Sequence, residues 1–212
     1  MYIPDAFKET DHDVAFSLIE EIRLGSIVSA AGRIESSLVA FLLDRHIGPN
    51  GRLVGHCARA NPQWKAFEES PEVLVSFLGP NTHVSPSWYG THPRAPTWLY
   101  ASIHVRGRVR LVQDSASLRA IVVRLSKEME PEGSPWHIDT VAEYVDRILP
   151  GIVGFTIDIE SIETQLRLAQ QNVMDDRHRV LHALEGGSPM QRAVAEIMRR
   201  FTFRDAEAEP QK

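Results

Sequence analysis

The sequence predicts an α+β domain in which a β-barrel is flanked by helices. Three observations predict it. Apolar runs of strand length recur between Gly- and Pro-containing turns, with helix-like segments inserted at intervals. One stretch alternates with a period of two: Ile103, Val105, Gly107, Val109 and Leu111 share one face, and His104, Arg106, Arg108 and Arg110 the other. The C-terminal stretch from Asp175 carries two helical segments with clear stop and start signals.

Tyr2-Ile3-Pro4 and Phe7 read as an extended arm. Thr10 or Asp11 can cap a helix over Asp13–Arg23, with Val14, Phe16, Leu18, Ile19 and Ile22 as its apolar stripe, and Gly25 ends it. Strands are expected over Gly25–Ala30, Ser37–Leu43 and Arg52–Cys57, the last two joined by the turn Gly48-Pro49-Asn50-Gly51. Asn61-Pro62 starts a short helix that Ser70-Pro71 closes. Further strands are expected over Glu72–Leu78, His83–Tyr89, Trp98–Val112 and Ile152–Ile162, and helices over Ser115–Met129 and Val141–Leu149. A helix runs from Asp175-Asp176 through Leu184 to Gly186-Gly187. Ser188-Pro189 restarts one, with Gln191 placed for a capping box. Residues 205–212 are acidic and polar and are expected to be disordered.

At 212 residues the chain is long enough for one domain, or one domain with a short annex. A hydrophobic content of 43% supports a sizeable core. The single cysteine, Cys57, excludes a disulfide framework and an all-cysteine zinc site, and no metal site is expected. No apolar run reaches membrane-spanning length and the N-terminus lacks the pattern of a signal peptide, so a cytoplasmic location without membrane contact is expected. A net charge of −5 does not suit gripping nucleic acid by bulk electrostatics. The positive charge is nonetheless unusual in kind: of 23 basic residues only Lys8, Lys65, Lys127 and Lys212 are lysines. Arginine favours planar, bidentate contact with carboxylates and phosphates. A strand-borne acidic face of Thr156, Asp158 and Glu160 could answer the arginines at 106, 108 and 110.

Three segments are denser in polar and aromatic groups than a core needs. The first, Gly55 to Lys65, places His56, Arg59, Asn61, Gln63, Trp64 and Lys65 at a strand-to-helix transition, a candidate anion site. The others are Ser85-Pro86-Ser87-Trp88-Tyr89 and Pro96-Thr97-Trp98-Leu99-Tyr100. Their aromatic rings and hydroxyls could line a slot for a flat ligand, or equally a subunit interface.

These segments together with Met1-Tyr2-Ile3-Pro4, Gly79-Pro80 and Leu149-Pro150-Gly151-Ile152-Val153-Gly154-Phe155 resemble the PaiB family of the flavin-binding split-barrel superfamily. The resemblance spans roughly residues 1–200. It implies a six-stranded antiparallel split β-barrel over 1–165, a C-terminal helical extension over 166–204, and a homodimer with FMN in a slot at its interface. By position it implies that His56, Arg59, Asn61, Gln63, Trp64 and Lys65 hold the flavin phosphate and ribityl chain. Ser37 and Val39 would lie on the strand beside the ring, and Trp88, Thr97 and Trp98 would approach from the partner subunit. It also implies a role as a negative transcriptional regulator, with an FMN-dependent oxidoreductase or a cofactor-less interaction module as alternatives; no catalytic residue can be named. DNA contact would fall to the Arg106/Arg108/Arg110 face or to Arg177, Arg179, Arg192, Arg199 and Arg200 in the tail helices. The chain departs from the family pattern at Leu99, at Ser37-Leu38-Val39-Ala40 and at Arg167-Leu168-Ala169-Gln170-Gln171. These departures remove hydrogen-bonding groups and imply weakened or lost FMN binding.

Overall fold

The computed structural model describes residues 1–203; the expected disordered tail at 205–212 lies outside them. The strands are β1 (Lys8–Glu9), β2 (Leu24–Ala31), β3 (Arg33–Ala40), β4 (Leu42–Asp44), β5 (Arg52–Ala58), β6 (Glu72–Val84), β7 (Thr97–Val112) and β8 (Ile152–Arg167). The helices are α1 (His12–Ile22), α2 (Gln63–Glu69), α3 (Ser115–Met129), α4 (Ala142–Ile148), α5 (Met174–Glu185) and α6 (Pro189–Thr202). One sheet runs in the order β3-β2-β6-β7-β8-β5-β4, with β1 added on β8. It has eight strands where six were expected. The two extra ones are the two-residue β1 and the three-residue β4, both too short to leave a periodic signal.

Two compact units share this chain, and β6, β7 and β8 contribute to both. The larger comprises residues 12–77 and 104–162. In it, β3 and β4 stand at opposite ends of the ladder order yet are separated in sequence by Phe41 alone. A sheet whose two ends are tied by one residue must curl until they meet. No ladder joins β3 to β4 or β5 among the described residues, which leaves the barrel split at that seam. Phe41, Phe67, Phe77 and Phe155 fill the interior edge-to-face, with ring centroids 5.5–6.2 Å apart. A Cβ on Gly55 would lie 3.1 Å from Val39 and 3.3 Å from Phe41 and Phe155, so Gly55 and Val39 face this core. α3 covers the outside of β5 and β8, where a Cβ on Gly154 would meet Leu118 and Ile121.

The smaller unit comprises residues 1–11, 78–103 and 163 onward. β1 pairs with β8 through Lys8–Gln165 and Glu9–Thr164, and the N-terminal ammonium reaches Glu163 at 2.7 Å. α5 and α6 enclose a core of Val84, Tyr89, Leu99, Ala169, Val180, Leu184, Val194, Ala195 and Met198. The capping box of Ser188 and Gln191 is formed as expected.

Several boundaries differ from expectation. β3 begins at Arg33 and stops at Ala40, because the chain turns at Phe41 to cross the seam. The strand expected at His83–Tyr89 is the end of β6 followed by a 3-10 turn, Pro86–Trp88, whose proline cannot donate to a ladder. The helix expected over Val141–Leu149 is α4 framed by 3-10 turns at Ile138–Val141 and Leu149–Gly151.

Candidate functional site

In the larger unit, the turn between β5 and α2 gathers most of the polar side chains singled out in the sequence. Gln63 is 2% exposed, and its amide nitrogen donates to Ile27 O at 3.0 Å, Ser29 Oγ at 3.2 Å and Glu35 O at 3.2 Å. It ties α2 to β2 and β3. Asn61 donates to Ser37 Oγ at 2.8 Å and accepts from the Gln63 backbone N–H at 3.0 Å, so the leading N–H of α2 is already answered. Arg59 donates to Pro150 O at 2.8 Å and Ile152 O at 3.0 Å, and Trp64 Nε1 donates back to Arg59 O at 2.9 Å. These donors close the end of the barrel.

Lys65 differs. It is exposed, its ammonium lies 5.8 Å from the Trp64 ring, and no carboxylate pairs with it among the described residues. With Arg59 at 6.0 Å, two cations flank one indole. His56 is separate again. It pairs in register with Gly154, so its ring lies on the α3 side of β5, away from the interior faced by Gly55. Its Nδ1 is buried without a hydrogen-bond partner, and burial pushes its pKa below the usual histidine value. Val39 is a core residue.

The outward face of β2 and β3 is uncovered. Ser26, Val28 and Ala30 alternate with buried Ile27 and Ser29. Across the ladders Leu38, Ser26 and Ser76 form one row, and Ser36, Val28 and Leu74 the next. Ile34 is 78% and Leu38 70% exposed. A groove of about 330 Å³ lies beside these rows, lined by Val28, Ala30, Leu74, Glu72, Arg106 and Glu160. The arginine face next to it is answered by acids: Arg108 meets Glu72 at 3.3 Å, and Arg110 and Arg52 meet Asp158 at 2.9 and 2.7 Å.

In the smaller unit, Trp98 is 48% exposed, and its indole N–H donates to Asn81 Oδ1 at 3.1 Å. Thr97 Oγ1 accepts from Arg167 at 2.8 Å. Trp88 packs on the α5–α6 core. Sequence reasoning missed Asp176, which is fully buried and accepts from the Gly90 and Thr91 backbone N–H groups, the Thr91 hydroxyl and Arg94 Nη2. The Thr91 hydroxyl above all, with the Gly90 N–H and Arg94, holds its carboxyl down at about 2. In the sequence it looked like ordinary first-turn acid at a helix start.

Comparison with known proteins decides what this architecture is. Residues 1–161 match the family described as "Putative FMN-binding domain". The chain is 30% identical over 205 residues to the Bacillus subtilis "Protease synthase and sporulation protein PAI 2", covering 93% of this chain and 96% of that one. The chain belongs to the PaiB-like FMN-binding family. Its fold is also that of the flavocytochrome Anf3 of Azotobacter vinelandii (13% identity, 76% and 69% coverage, TM-score 0.55). The FAD and heme binding protein of Mycobacterium smegmatis shares it too (16% identity, 85% and 80% coverage, TM-score 0.54). The fold is therefore a split barrel, and the chain carries an FMN-binding domain. The donor set suits that group in part. Lys65 and the Ser37 hydroxyl have hydrogen-bonding capacity left for a phosphate or ribityl oxygen; Ser37 pairs with buried Ile27 and so lies on the opposite side of β3 from the uncovered face. Arg59, Gln63 and the Trp64 N–H are engaged inside the protein. No helix among the described residues is long and apolar enough to cross a membrane.

Proposed function

We propose that this protein binds FMN as a homodimer, with one copy's Lys65 at the phosphate end and the second copy's Trp98 beside the ring. The observation that carries the reading is the bare outward face of β2 and β3, where Ile34 and Leu38 stand exposed on a strand at the open seam of the barrel. Such an edge is normally covered. A second copy would cover it and enclose the groove beside it. Bound FMN supplies one- and two-electron redox chemistry. The protein's part is to place a cation at the dianionic phosphate, to exclude water from the ring, and to fix its orientation. Two lines stand against a DNA-reading surface. Arg108 and Arg110 face carboxylates, and the tail arginines are engaged locally: Arg177 with Asn172 O and Thr202 O, Arg179 with Asp175, Arg192 with Gly187 O, and Arg199 with Glu185. The regulatory role that the family resemblance implies would then be exercised through the flavin-loaded dimer. The test is reconstitution with FMN and the mass in solution: a dimer carrying one FMN per chain supports the reading. A monomer that leaves FMN free sinks it.

A further inference from the structure

We infer that Asp176 is a positioning residue that pins the loop over residues 89–96, which leads into Trp98 at the start of β7, onto helix α5. The C-terminal helices are then a clamp for a binding loop. The inference rests on the flavin reading for its consequence and on geometry for its substance. The loop after Trp88 has no ladder partner until β7 begins at Thr97. Tyr89 anchors its start in the α5–α6 core, and beyond that one fully buried carboxylate holds it. Asp176 Oδ1 accepts from the Gly90 N–H at 2.7 Å and the Thr91 N–H at 3.2 Å. Oδ2 accepts from the Thr91 hydroxyl and from Arg94 Nη2 at 2.6 Å. Arg94 extends the pin: it donates to Asn172 Oδ1 at 3.2 Å, and its guanidinium lies 4.9 Å from the centre of the Tyr89 ring. The fit is close enough that a Cβ on Gly90 would lie 2.9 Å from Arg179 Nε. Charge-assisted bonds to two consecutive backbone N–H groups fix a loop's path as well as its distance.

The test compares Asp176→Asn with Glu185→Gln, whose carboxylate pairs with Arg199 at the other end of α5. Amide exchange is read by residue, and FMN affinity by titration. Asp176→Asn is expected to raise exchange at Gly90 and Thr91 at least tenfold, to leave β5 and β8 protection as in the parent, and to weaken FMN binding at least tenfold. Glu185→Gln is expected to change neither. Thr91→Val, which removes one donor, serves if Asp176→Asn does not fold, and is expected to show the same pattern more weakly. Unchanged exchange at Gly90 and Thr91 overturns the pin. Raised exchange with unchanged FMN affinity overturns the positioning role. If the parent protein itself binds no FMN, the flavin reading fails, and the exchange data alone decide the pin.

Discussion

The turn from Arg59 to Lys65 and the loop from Ser85 to Trp98 have the same character in sequence, dense in prolines, aromatics and hydrogen-bonding groups. The structure holds them by different chemistry. The first is fixed without a carboxylate: Gln63 and Asn61 reach two backbone carbonyls and two hydroxyls, and Arg59, whose carbonyl holds the Trp64 N–H, donates to the carbonyls of Pro150 and Ile152. The second is fixed by a buried carboxylate and its arginine. A segment that ends a barrel can be satisfied by the carbonyls around its rim. A loop without a rim must import an acceptor from another element.

That contrast can be broken most forcefully at Gln63. Replacing it by Ala leaves two carbonyls and a hydroxyl unanswered in the barrel end, and is expected to cost about 2–3 kcal/mol in urea unfolding. Next in size is Lys65→Ala. Removing a cation that has neither a carboxylate nor a carbonyl partner among the described residues is expected to weaken FMN binding about 10- to 100-fold by titration, while the unfolding midpoint stays put.

Acid separates the two regions more finely. The Asp176 carboxyl sits at about 2, below its ordinary 3.8, so its contribution is complete above that ordinary value and is lost only as pH falls toward 2. His56 also titrates below its ordinary value of 6.5, but its neutral form is the one the fold prefers. Stability from that preference is present above 6.5 and falls as pH drops through it. Between pH 8 and pH 5, protection factors at Gly90 and Thr91 are therefore expected to hold. Those around His56 in β5 are expected to decline, and His56→Phe is expected to remove the decline. The smallest effect belongs to Arg110→Ala: an exposed ion pair with Asp158 is expected to be worth no more than about 0.5 kcal/mol in the same unfolding assay.

Much of the fold was legible because strands and helices declare themselves by period. The alternation over 103–111 placed the inward and outward faces of β7 residue by residue, and Ser188-Pro189 with Gln191 announced α6. The barrel's seam was not legible, because the one-residue break at Phe41 between β3 and β4 leaves no periodic trace between two apolar strands. The candidate site was legible as a set of residue types but not as a set of free groups. Nothing in Asn61-Pro62-Gln63-Trp64-Lys65 distinguishes Gln63, which is consumed by the barrel, from Lys65, which is not; the distinction depends on which carbonyls fold back within reach. Asp176 was hidden for the same reason, since its partners lie more than eighty positions away in the sequence.

The central claim is that a bare strand face and an unpaired lysine mark an FMN site. Fluorescence titration of FMN against the purified chain, with Lys65→Ala in parallel, tests it most directly. Saturable quenching at one FMN per chain, weakened at least tenfold in the variant, is the predicted result. No saturable binding, or equal affinity in parent and variant, would contradict it.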